Sequence, residues 1–118
     1  MSGLVLLVHW NAAFSEQLAS ALAHAGHEII AFAAAMPAID VLDAGRVPDV
    51  LITCVEFPAD NPTGLSLARM AMLKCPGIKV LFADRPEFAE LARDVGEFYP
   101  YPEDLRPLSD AVQRLLGE

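Results

Sequence analysis

The chain alternates short, β-rich apolar runs with helical runs five times over its length, and that alternation limits its fold more than any other feature. Leu4-Val5-Leu6-Leu7-Val8 is continuously apolar, as a strand buried on both faces should be. Asn11 is placed to cap the helix that follows, in which Phe14, Leu18, Ala21, Leu22 and Ala25 recur at helical spacing before Gly26 ends it. A second strand is expected around Ile29-Ile30. A short helix follows, with Pro37 in its first turn, Ile39, Val41 and Leu42 on its apolar side, and Gly45 at its end. The periodicity between Ala33 and Gly45 is weak, so part of that segment is expected to be irregular. Val50 to Val55 reads as the third strand, Gly64 to Lys74 as the third helix, and Cys75-Pro76-Gly77 as a break. Ile78 to Ala83 is the fourth strand, Glu87 to Val95 the fourth helix, Phe98-Tyr99 the start of a fifth strand, and Leu105 to Leu116 a final amphipathic helix. Strict alternation of this kind predicts an α/β domain: one parallel sheet, doubly wound, with helices on both faces.

At 118 residues the chain reads as one domain, spanning 1–118, and 54% apolar content is enough for a core without metal or disulfide staples. Eight basic residues face sixteen acidic ones, for a net charge of −8, and no basic run occurs. Nucleic acid and an anionic membrane surface are therefore not expected partners. Cys54 and Cys75 do not make a disulfide framework, and no apolar run approaches the length of a bilayer span. Leu4 to Val8 is too short for a secretory signal and lacks a basic flank, which makes the bacterial cytoplasm the expected compartment.

Parallel sheets bind ligands at the carboxyl ends of their strands, which directs attention to His9 and Trp10, Cys54 and Glu56, Asp84, and Tyr101. The spacing of these positions resembles the receiver domains of response regulators along nearly the whole chain. Pro48-Asp49 precedes the third strand and Pro58 and Gly64 follow it, as in that family. Pro102 keeps the family's proline, and Phe98 falls at its switch aromatic. The resemblance implies a flavodoxin-like, CheY-like (βα)5 fold with strand order 2-1-3-4-5. It also implies two-component or phosphorelay signalling. The functional positions depart from the family. His9-Trp10 stands for the acidic pair that holds Mg²⁺, Cys54 for the phosphoacceptor aspartate, Asp84 for the hydroxyl residue and Tyr101 for the lysine. Phosphoryl transfer needs oxygen ligands for Mg²⁺, a nucleophilic carboxylate and a cation to offset developing charge. Asp84 instead adds a negative charge where phosphoryl oxygens should sit, and one like-charge contact at ~4 Å costs roughly 4 kcal/mol at an effective dielectric near 20. No metal-dependent phosphorylation, cofactor or catalysis is expected here. The pocket is expected to be degenerate and filled by side chains.

Three further readings of the same residues stand beside this one. His9, Cys54 and Asp84 are all zinc-ligand types and equally the parts of an oriented Cys–His nucleophile, so together they make a candidate enzyme or sensor site. A pocket beneath Trp10 would suit a small ligand. The face that the resemblance assigns to dimerisation and partner contact, from the fourth helix through the last, carries Phe88, Leu91, Ala92, Phe98, Tyr99, Tyr101, Leu105 and Leu108. Alternation along a strand would instead turn Phe98 inward and leave only Tyr99 exposed. A phosphorylation-independent interaction module, binding a signalling protein or a second copy of itself through that face, is the leading expectation. Of the remaining candidates, Asp60 and Asn61 suit a solvated turn, and Cys75 the end of a helix. His24 and His27 suit the dipole at a helix C-terminus, and Met70 and Met72 suit helix packing.

Overall fold

The computed structural model describes residues 3–58, 63–100 and 105–116. Five parallel strands form one sheet: β1 (Leu4–Val8), β2 (Glu28–Phe32), β3 (Val50–Thr53), β4 (Lys79–Asp84) and β5 (Glu97–Pro100). Their order is β2-β1-β3-β4-β5, the doubly wound arrangement. The helices are α1 (Ala12–His24), α2 (Ala35–Asp43), α3 (Gly64–Lys74), α4 (Ala89–Ala92) and α5 (Arg106–Leu115). None of the helices among the described residues is long and apolar enough to cross a membrane.

Strand alternation divides the core into two layers. Val5, Leu7, Ile52 and Leu81 point to one face, where Phe14, Leu18 and Leu22 of α1 and Leu108 and Val112 of α5 cover them. Leu6, Val8, Leu51, Val80 and Phe82 point to the other, beneath α2, α3 and α4. The central strands are thus buried on both sides, whereas edge strands β2 and β5 are only half-buried.

Four boundaries differ from the sequence expectation. The α2 segment is a continuous helix. Its buried stripe is Ala35, Ala38, Ile39 and Leu42, so two alanines carry the periodicity that larger residues would have made visible. The fourth helix is much shorter than Glu87 to Val95. A 3-10 turn at Pro86–Phe88 leads into the single turn of α4, and the N–H groups of Val95 and Gly96 both return to Ala92 O, closing the helix early. The third strand stops at Thr53 rather than Val55, and the fourth runs on to Asp84.

The register positions the strand ends. Val8, Thr53 and Phe82 form the last row shared by β1, β3 and β4. One residue further, His9, Cys54 and Ala83 emerge side by side. The start of α3 is pressed against this edge. Thr63 caps the helix by accepting from Ser66 N at 3.1 Å, and Gly64 N donates to Val55 O at 2.8 Å. A Cβ on Gly64 would lie 1.6 Å from Cys54 O, so only glycine permits the approach. Backbone bounds this contact on both sides and neither can yield cheaply. Gly64→Ala is therefore expected to lower unfolding free energy by about 1–3 kcal/mol or more in urea titrations, and unchanged stability would contradict the packing described.

Candidate functional site

Asp84, the last residue of β4, is 2% exposed and makes the densest set of polar contacts at the strand ends. Its Oδ2 accepts from Val55 N at 2.8 Å and from Glu56 N at 3.3 Å, and its Oδ1 accepts from Arg85 N at 2.8 Å. Among the described residues no lysine or arginine pairs with this carboxylate. Backbone N–H dipoles compensate the charge instead, in the manner of an anion-binding nest. Two successive N–H groups of the β3–α3 loop and one of the β4–α4 loop therefore converge on one side chain.

His9 ties the first strand to the fourth across the end of the third. Its Nδ1 accepts from Asn11 N at 3.1 Å, which places the ring proton on Nε2, where it donates to Ala83 O at 3.0 Å. The ring also lies against Phe14, with centroids 4.8 Å apart, and near Trp10 at 5.9 Å. Burial holds its pKa below the ordinary 6.5, although the Ala83 hydrogen bond and the Asp84 charge oppose that shift.

Cys54 is fully buried. Burial pushes its thiol up from 9.0 to about 12; the negative charge of Asp84 adds to this, while hydrogen bonding from the Trp10 backbone and Thr53 works in the other direction. The group is thus a protonated, weakly nucleophilic thiol at neutral pH. Trp10, by contrast, is 40% exposed. Together with Glu56, Phe57, Pro58, Asp84 and Arg85 it lines a cavity of about 560 Å³ that opens onto the strand ends. A cleft of about 610 Å³ runs beside Ile78, Lys79, Gly96 and Glu97, at the opposite end of the sheet from these groups.

His9, Cys54 and Asp84 are brought together, but their donor atoms are spent on structure. The His9 nitrogens and Asp84 oxygens engage backbone groups, and Cys54 keeps its proton. Among the described residues no group of three or more His, Cys, Asp and Glu side chains is arranged to hold a metal ion. Tyr101 lies outside the described residues, as do Asp60, Asn61 and Pro102. Ala92 and Leu108 are fully buried and belong to the core, not to a contact face: each sits on the inward side of its helix. His27 does not face solvent at the end of α1: it is buried, with neither ring nitrogen hydrogen-bonded. His24 does face solvent there, its Nδ1 donating to Ser20 O at 3.3 Å. Cys75 closes α3, its sulfur 3.9 Å from Arg46 O.

Sequence reasoning read Asp84 as a repulsive charge, a metal-ligand type or the orienting member of a Cys–His pair, and missed its N–H partners. A signal was available: Asp carboxylates readily accept from nearby backbone N–H groups where a strand gives way to a loop.

No family model matches the chain, and no curated protein matches it. Its fold is that of solved receiver domains. A response regulator receiver protein from Sinorhizobium medicae superimposes with a TM-score of 0.85 at 24% identity, over 98% of this chain and 94% of the other. A putative response regulator from Chloroflexus aurantiacus gives 0.84 at 19% identity over the whole of both chains. An adenylate cyclase from Rhodopirellula baltica gives 0.86 at 16% identity, over 98% of this chain and 88% of the other. At such identities the likeness is one of fold.

Three outcomes follow from the protonation states. In the folded protein, Cys54 should react with iodoacetamide near neutral pH roughly a thousandfold more slowly than an unhindered thiol, as read by peptide mass mapping; comparable rates would contradict the buried thiol. The unfolded chain loses the Cys54 proton near 9.0 whereas the folded one retains it to about 12, so stability should fall as pH rises through that window. His9 acts at the other end of the range. The unfolded imidazole takes up its proton near 6.5 while the folded ring resists, so stability should also fall as pH drops below 6.5. A His9→Asn variant should lose most of that acid-side slope in Tm measurements, and an unchanged slope would remove His9 from the account.

Proposed function

We propose that this chain is a receiver-like domain of bacterial two-component or phosphorelay signalling that acts without phosphorylation, as a cytoplasmic protein-interaction module rather than an enzyme. One observation carries the reading: the Asp84 carboxylate takes the N–H groups of Val55, Glu56 and Arg85. An anion already fills the end of the β3–β4 crevice, and Cys54 beside it is a neutral thiol where the family has a nucleophilic carboxylate. Among the described residues, no group of three or more His, Cys, Asp and Glu side chains is arranged to hold a metal ion, which supports a pocket without the phosphoryl-transfer machinery.

The surface from α4 through β5 to α5 supports the interaction role. Leu91 is 56% exposed on the single turn of α4. Phe88 is half-buried beneath the Arg85 guanidinium, 5.2 Å from the ring centroid. Phe98 packs toward the α3 side of the sheet and Tyr99 toward the α5 side. The Tyr99 hydroxyl donates to Glu97 Oε1 at 2.9 Å, and Arg114 binds the same oxygen at 2.7 Å. Leu105 is half-buried before α5. A half-buried edge strand that carries a pinned tyrosine, beside an exposed leucine on α4, suits a partner protein or a second copy of the chain.

Trp10 fluorescence tests the reading, since the indole borders the cavity that reaches Asp84. Addition of Mg²⁺ with beryllofluoride should leave the emission unchanged, and intact mass after incubation with acetyl phosphate should show no phosphoryl increment. Saturable quenching by Mg²⁺ with beryllofluoride, or a phosphorylated product, would overturn the reading. A stoichiometric response to Zn²⁺ abolished in Cys54→Ser would instead favour the metal site.

A further inference from the structure

The sheet is left partly uncovered at the end opposite Asp84. α4 stops after one turn, and Val95 N and Gly96 N both bond back to Ala92 O, so the chain from Arg93 to Gly96 crosses toward β5 as a loop instead of a helix. A cleft of about 610 Å³ lies there, within the ~300–1,000 Å³ typical of small-molecule sites. Met72 of α3, Val80 of β4, Val95 of the loop and Phe98 of β5 give it an apolar wall. Met72, Val95 and Phe98 are only partly buried, so apolar surface stays in contact with water. Gly96 fixes the shape of that wall. A Cβ there would lie 2.5 Å from Val80 O, so the loop is held against β4 by a contact that only glycine allows.

Charge distinguishes this cleft from the rest of the surface. The chain has eight basic residues against sixteen acidic ones. Arg46, Lys74, Arg85 and Arg114 are ion-paired with Glu28, Asp43, Glu87 and Glu97. Among the described residues Arg69, Lys79 and Arg93 have no such partner, and two of them, Lys79 and Arg93, line the cleft. The Glu97 carboxylate is also on the lining but does not neutralise them, because Tyr99 and Arg114 hold it. Asp94 is the lining carboxylate that remains free, and it disfavours ligands with more than one negative charge. We propose that the cleft binds a small amphipathic monocarboxylate from solution, its apolar body against Met72, Val80, Val95 and Phe98 and its carboxylate paired with Lys79 and Arg93. The site lies at the opposite end of the sheet from Asp84, so its occupancy is independent of the phosphorylation pocket.

Sodium phenylpropanoate, phenylpropanol and phenylpropylammonium chloride share one apolar body and differ in charge. Each is titrated into the isotope-labelled protein at constant ionic strength, with inorganic phosphate as an anion lacking that body, and backbone amide shifts are followed by NMR. The carboxylate should produce saturable shifts centred on Lys79, Val80 and Val95 to Phe98. It should bind about tenfold tighter than the ammonium and about threefold tighter than the alcohol. Phosphate should cause no saturable shift there. Lys79 and Arg93 are exposed, so Lys79→Gln and Arg93→Gln should keep the native spectrum. Each should weaken the carboxylate about threefold and leave the alcohol unchanged. The charge series in wild type reads out the same claim without any substitution. The proposal would be overturned by the lack of a saturable carboxylate shift at these amides, by equal affinity for the three compounds, or by phosphate binding as tightly as the carboxylate. Folded variants that bind the carboxylate as tightly as wild type would overturn it too.

Discussion

A carboxylate withdrawn from water needs compensation, and at the strand ends of this domain Asp84 obtains it from main-chain N–H groups rather than a cation. The arrangement binds both sides. Without the carboxylate, three inward-facing donors lose an acceptor, at about 1–3 kcal/mol for each one left buried and unpaired. Without the donors, the buried carboxylate would have no hydrogen-bond partner among the described residues. The same contacts set the path of the β3–α3 loop, since Val55 and Glu56 follow directly after Cys54. That path lets Gly64 approach the Cys54 carbonyl and seats the first turn of α3.

The chemical character of the neighbours follows from this packing. Cys54 lies behind the loop that Asp84 fixes, without water and close to a negative charge, and both conditions disfavour a thiolate. His9 spends its nitrogens on Asn11 and Ala83, joining β1 to β4 over the end of β3. A protonated His9 would turn an N–H toward the Asn11 N–H, so the hydrogen-bond pattern and the burial both favour the neutral ring. Residue types that elsewhere make metal centres and nucleophiles act here as fasteners between strands. The proposed interaction role falls to the outer surface, where α4 is cut to one turn and β5 stands at the sheet edge.

The fold was largely legible in the sequence because burial on both faces gives the central strands continuous apolar runs, and β1, β3 and β4 show this. Legibility failed where small residues or local bonding decide the outcome. The buried stripe of α2 rests partly on Ala35 and Ala38, which carry little hydropathic contrast. The early end of α4 comes from main-chain bonds of Val95 and Gly96 that no side-chain pattern announces. At the site, alternation and spacing located His9, Cys54 and Asp84 at neighbouring strand ends. Their roles were not legible, because they depend on which backbone N–H and C=O groups the loops bring within 3 Å or so, and loop paths have no periodic signature. Ala92 shows the same limit on the surface, since a helix of one turn does not declare which side is inward, whereas the periodicity of the last helix did mark Leu108 as inward.

The central claim is that a carboxylate belonging to the chain occupies the N–H groups at the strand ends in the resting protein. Scalar couplings across hydrogen bonds, measured by NMR between the Val55 and Arg85 amide nitrogens and the Asp84 side-chain carboxyl carbon, test it most directly. Resolved couplings from both amides to that one carbon are the expected result. Their absence, with rapid solvent exchange of the two amides, would mean that these N–H groups stand open and would contradict the account.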